Sequence, residues 1–85
     1  MNMTIENQQK QFYECSDLGL VTTLSLYFPI TTMDRSNPKK IIFIFKKEQK
    51  LKELIEAYWC RELQVEPQAY FSQLRAIKAR LYEGH

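Results

Sequence analysis

The sequence is poor in the residues from which most active sites and metal centres are built. Only two glycines occur in 85 residues. No G-x-x-x-x-G-K, G-x-G-x-x-G or G-x-S-x-G string is present, so the common phosphate-cradling loops and the nucleophile elbow are excluded. The single histidine is His85, the last residue, where a chain end is expected to hold it too loosely for general-base work. The two cysteines, Cys15 and Cys60, have no C-x-x-C partner and fall short of the four ligands of a structural zinc site. They read as reduced, small apolar side chains. No apolar run approaches the ~18 residues of a membrane span. Residues 1–10 are polar and lack the apolar core of a signal peptide, so cytoplasmic residence is the expectation. The acids fall mostly on helix exteriors rather than in converging pairs. The chain is therefore expected to be non-enzymatic, with no cofactor and no metal.

The residues that are present suffice for a folded core. Apolar residues make up 45% of the chain and aromatics 13%, which excludes a wholly disordered polymer. The organising stretch is Lys39-Lys40-Ile41-Ile42-Phe43-Ile44-Phe45-Lys46-Lys47. Side chains alternate along a strand, so Ile41, Phe43 and Phe45 share one face and Ile42 and Ile44 the other. A strand apolar on both faces belongs in the interior of a sheet. The expected central strand is 39–47, with lysines at both exits.

Taken in order, residues 1–10 are expected to form a flexible tail and residues 11–83 a single domain. Residues 11–15 read as a short strand. Ser16 or Asp17 can cap a helix whose stripe is Leu20, Val21, Leu24, Tyr27 and Phe28, with Thr22, Thr23 and Ser25 towards solvent. Gly19 counts against that helix, and Pro29 ends it. Ile30–Met33 reads as a second strand, turned into the central one by Asp34-Arg35-Ser36-Asn37-Pro38. Asp34 and Arg35 are the only polar pair on a loop that could serve a site; the plainer reading has Asp34 start the turn and Arg35 as a solvated cation. A second helix starts at Glu48, carries Leu51, Leu54, Ile55 and Tyr58, and runs to about Leu63, with Trp59 half exposed. Pro67 opens a third helix whose stripe is Tyr70, Phe71, Leu74, Ile77 and Leu81, with Gly84 ending it. The expected class is α+β: a small three-stranded sheet in the order β-α-β-β-α-α. The outer strands flank strand 39–47 and run parallel to each other, and helices pack mainly on one face. The face bearing Ile42, Ile44 and Phe12 is expected to be partly open.

Charge is unevenly placed. Residues 39–52 hold six lysines and one acid, in a chain whose net charge is +2. In the third helix, Arg75, Lys78 and Arg80 meet no acid before Glu83. Such groups can hold phosphate, and they can equally be the solvated rim that protects a hydrophobic strand from edge-to-edge pairing.

Four strings taken together resemble a known family: Tyr13-Glu14-Cys15-Ser16-Asp17-Leu18-Gly19-Leu20, Asp34-Arg35-Ser36-Asn37-Pro38-Lys39, Ile42-Phe43-Ile44-Phe45 and Leu54-Ile55-Glu56-Ala57-Tyr58-Trp59. The order of a strand, a D-L-x-L helix, D-R-x-x-P, an alternating strand and L-x-x-L-x-x-x-Y is similar to that of small bacterial and phage-associated proteins built on a domain of unknown function. The resemblance covers about residues 12–82 and departs at Tyr27-Phe28-Pro29, where a glycine would end the first helix. It implies a phage or mobile-element setting and brings no catalytic residue.

Two functional expectations follow. In the first, the chain is a nucleic-acid-associated module that contacts DNA or RNA through Lys39, Lys40, Lys46, Lys47, Lys50, Arg75 and Lys78. No helix-turn-helix turn or aromatic ribonucleoprotein pattern specifies bases. In the second, it is a protein-interaction or homodimeric subunit that uses Ile42, Ile44 and Trp59 and leaves nucleic acid untouched. Neither reading involves a membrane or a metal.

Overall fold

A computed structural model describes residues 11–83. The tail expected over 1–10, the cap expected at Gly84 and the terminal His85 lie outside the described residues. Six elements follow one another: β1 (Phe12–Cys15), α1 (Leu18–Ser25), β2 (Thr32–Asp34), β3 (Ile42–Lys46), α2 (Gln49–Trp59) and α3 (Pro67–Glu83). The class is α+β and the element order is the expected one.

β3 is the middle strand, with β1 and β2 antiparallel to it on either side. The two outer strands therefore run parallel to each other. Register sorts the side chains onto two faces. Tyr13 lies opposite Phe45, and Cys15 and Met33 lie opposite Phe43, all on the inner face. Phe12 lies opposite Lys46, Glu14 and Thr32 opposite Ile44, and Asp34 opposite Ile42, all on the outer face. Phe43 and Phe45 are fully buried with Leu20, Val21, Leu24, Leu51 and Ile77 in one core cluster. The helices thus cover the inner face. On the outer face Phe12 stays 45% exposed, whereas Ile42 and Ile44 are half-buried rather than open.

Element boundaries differ from expectation for local reasons. Lys39, Lys40 and Ile41 are not part of β3. The Asn37 side chain accepts from the Lys39 N–H at 3.0 Å, and the Lys40 N–H donates to Asn37 O at 3.0 Å, so both lysines close a turn. The Asp34 carboxylate accepts from both the backbone and the hydroxyl of Ser36, at 2.9 and 2.7 Å. Those two bonds stabilise the carboxylate and hold its pKa below the ordinary carboxylate range. β2 is displaced towards Asp34, although the Thr31 N–H already donates to Ile44 O at 2.8 Å. α2 ends at Trp59, four residues short of Leu63. Arg61 stands at φ 63° in the left-handed region. Its N–H bonds Tyr58 O and the Glu62 N–H bonds Ala57 O, which is a Schellman ending without its usual glycine.

The largest departure concerns α1. Asp17 caps it as expected, accepting from the Leu20 N–H at 3.1 Å. Thr22 and Thr23 do not face solvent: both are buried, Thr22 completely. Their hydroxyls donate to Leu18 O and Gly19 O one turn back, at 2.7 and 2.9 Å, so no polar atom is stranded. α1 is consequently buried all round. It ends at Ser25 through tight turns, with Tyr27 and Phe28 N–H groups both donating to Leu24 O, and needs no glycine there. Tyr27, expected in the stripe, is exposed. Gly19 has a packing role instead: a β-carbon at that position would lie 2.7 Å from the Tyr58 hydroxyl.

Candidate nucleic-acid interface

The long helix α3 carries the features that point outward. Glu66 caps it, its carboxylate accepting from the Ala69 N–H at 2.7 Å, and Pro67 follows at the first helical position. Ile77 is the one fully buried side chain along α3, flanked by half-buried Tyr70, Leu74 and Leu81. At 100° per residue these four cluster within about 60° of arc. Phe71 lies 100° from Tyr70 and falls off that arc. It was expected in the core, and it is 59% exposed.

Phe71 instead heads a second stripe. Residues 71, 75, 78 and 82 are spaced by four, three and four, which places them within roughly 60° of one another on the outer side of α3. The stripe reads Phe71, Arg75, Lys78, Tyr82, and all four are exposed, Tyr82 by 70%. The Arg75 guanidinium sits over the Phe71 ring, 5.5 Å from its centroid. That cation–π contact orders both groups without burying either. The stripe spans about 16 Å along the helix axis.

At its C-terminal end α3 meets the β2–β3 loop. Arg35 is not a free cation: its guanidinium donates to Arg80 O at 2.7 Å and to Leu81 O at 3.4 Å. It thereby satisfies carbonyls at the helix end where a positive charge is also favoured by the helix dipole. This tie joins residues 45 positions apart and sets the loop against α3. Between them opens a cleft of about 340 Å³. Leu18, Ile41 and Phe43 contribute to its apolar lining, and Lys39, Lys40 and Tyr82 to its rim. Tyr82 belongs both to the cleft and to the α3 stripe.

The remaining expected residues fall elsewhere. Ile42 to Lys46 is about 13 Å along the strand, so Lys46, Lys47 and Lys50 lie at the opposite end of β3 from Lys39 and Lys40. The lysine-rich segment is therefore two basic ends rather than one patch. Lys50 lines a separate cleft of about 390 Å³ with Tyr27, Phe28, Glu53 and Leu54. Ile42 and Ile44 lie on the outer sheet face. Trp59, 60% exposed, packs edge-on against Tyr58 at the end of α2, with ring centroids 5.1 Å apart. Sequence reasoning missed Tyr82, favoured a solvated Arg35 and misplaced Phe71. The spacing of 71, 75, 78 and 82 was available to find the first and third. Arg35 offered no such signal, because its carbonyl partners are distant in sequence.

The two thiols are free. Cys15 is buried, and burial pushes its thiol pKa up, which disfavours the nucleophilic thiolate. Among the described residues no group of three or more His, Cys, Asp or Glu side chains could hold a metal ion, and no helix is long and apolar enough to cross a membrane.

No curated protein and no solved structure matches the chain. A family model matches residues 7–83, almost its whole length, and the chain belongs to that family, DUF5659, a domain of unknown function.

Proposed function

We propose that this is a non-enzymatic nucleic-acid-binding module, and that its interface runs along α3 to the Tyr82 cleft. The observation that carries the reading is the exposed stripe in which two cations, Arg75 and Lys78, lie between two aromatics, Phe71 and Tyr82, continued by Lys39 and Lys40. Cations draw in a polyphosphate backbone and aromatic faces accept bases, so this pairing suits nucleic acid better than it suits a merely solvated helix. Lys46, Lys47 and Lys50 supply a second basic end, whose long-range attraction would raise the association rate. The phage or mobile-element setting belongs to this proposal through the family resemblance, and action inside the cell is proposed with it.

The test is fluorescence anisotropy with labelled DNA and RNA oligonucleotides across a salt series. Binding should weaken linearly in log salt, by about 0.7–0.9 in slope per phosphate contacted. Charge reversal at Arg75 and Lys78 should weaken it more than reversal at Lys46, Lys47 and Lys50. Absence of binding at low salt overturns the proposal.

A second reading rests on the outer sheet face and Trp59. Phe12 is exposed beside half-buried Ile42 and Ile44, and exposed tryptophans are enriched at protein interfaces. Under that reading the module binds a protein or a second copy of itself. A monomer in sedimentation equilibrium at high concentration argues against the second copy.

A further inference from the structure

We infer that the Tyr82 cleft receives one unstacked base of a single strand, while Lys39 and Lys40 hold the phosphate beside it. This rests on the nucleic-acid reading and narrows it to single-stranded substrate.

The cleft combines two surfaces. Its apolar lining includes Leu18, Ile41 and Phe43, and Tyr82, an exposed residue, also lines it. Its rim carries two ammonium groups on consecutive residues of a hydrogen-bonded turn, with Asn37 accepting from Lys39 and Lys40 backbone N–H groups. A volume of about 340 Å³ lies at the small end of ligand pockets, which suits a base rather than a larger ligand. An apolar slot beside a phosphate-seeking rim matches a nucleotide, whose flat base is weakly hydrated on its faces and whose phosphate is anionic. A paired base is stacked on both sides and cannot enter, so the cleft discriminates against duplex.

The neighbouring stripe supplies the rest of the strand's path. From Tyr82 the chain of contacts continues to Lys78, Arg75 and Phe71 along about 16 Å of α3. A second base can stack on Phe71, whose ring already carries the Arg75 guanidinium on one side. Glu83 is the acid next to Tyr82, and Lys39 and Lys40 outweigh it at the cleft. Arg35 makes the arrangement possible by holding the loop of Lys39 and Lys40 to the end of α3.

The experiment compares labelled pentanucleotides in anisotropy: a single strand, the same strand with a central abasic site, its duplex, and a nucleoside monophosphate as competitor. The intact single strand should bind roughly tenfold or more tightly than the abasic strand, the duplex or the mononucleotide. A 2-aminopurine placed centrally should change its emission on binding. Tyr82→Ala should abolish that change and weaken binding about tenfold or more, with an unchanged melting temperature, since its ring is exposed. Lys39→Gln with Lys40→Gln should lower the salt slope by about 0.7, the loss of one phosphate contact, while leaving the 2-aminopurine response. Equal affinity for intact and abasic strands, or for duplex, overturns the base-insertion inference and leaves the nucleic-acid reading standing. Failure of every oligonucleotide to bind at low salt overturns both. A mononucleotide that binds as tightly as the pentanucleotide overturns the path along α3.

Discussion

The shortest helix and the longest helix of this domain do opposite work. α1 has eight residues, and five consecutive ones, Leu20 to Leu24, are buried. α3 has seventeen residues and buries only Ile77 completely. Length therefore says nothing here about which helix holds the fold together. α1 is enclosed by the sheet on one side and by α2 and α3 on the others, and it tolerates two threonines only because their hydroxyls bond back into its own backbone. α3 uses one narrow arc for attachment and leaves the rest of its circumference free, and that free surface bears the candidate interface.

Mutations sharpen this contrast in decreasing order of effect. Leu24→Ala in α1 removes a fully buried side chain and should cost about 2–5 kcal/mol in urea unfolding. Phe71→Ala in α3 should change stability by less than about 0.5 kcal/mol while weakening oligonucleotide binding. A large stability loss at Phe71 would break the comparison.

Gly19→Ala comes next. In an open helix this change stabilises by up to about 1 kcal/mol. Here the new methyl meets the Tyr58 hydroxyl, so it should instead cost about 1–2 kcal/mol through overpacking. Tyr58→Phe in the same chain should restore the ordinary gain. If the double variant is no more stable than Gly19→Ala alone, the close approach is not the cause.

Arg35→Met retains an aliphatic stem but loses the two bonds to α3 carbonyls, and should lower stability by about 1 kcal/mol. Arg35→Lys should recover little of it, because a single ammonium does not match two successive carbonyls as a planar fork does. A smaller effect than at Arg35 is expected at Arg61, whose φ of 63° suits glycine. Arg61→Gly should stabilise by about 0.5 kcal/mol, read as a higher urea midpoint with unchanged slope.

The sheet was readable because β3 announces itself. Five apolar residues, β-branched or aromatic, admit few other placements, and the flanking turn chemistry fixes the hairpin. The two outer strands, the helix cap at Asp17 and the helix start at Pro67 followed from local signals of the same kind. What failed depended on partners distant in sequence. Thr22 and Thr23 look like solvent-facing residues until the rest of the domain packs around α1, where Gln73 of α3 reaches the Ser25 hydroxyl at 2.9 Å. Lys39 and Lys46 look like members of one cluster because they are near in sequence, while the strand between them carries them apart. Arg35 looks solvated because nothing local marks the carbonyls that receive it. The site residues were legible as chemical types and only partly as neighbours.

The enclosure of α1 also bears on how the chain is made. Its apolar circumference is completed by Leu51 and Ile77, both of which are synthesised after it. Until α3 is released, the nascent chain has no means of covering its most hydrophobic helix. Folding of the domain must then wait for α3. During synthesis the exposed Leu20–Leu24 segment is the place where a chaperone would be expected to bind.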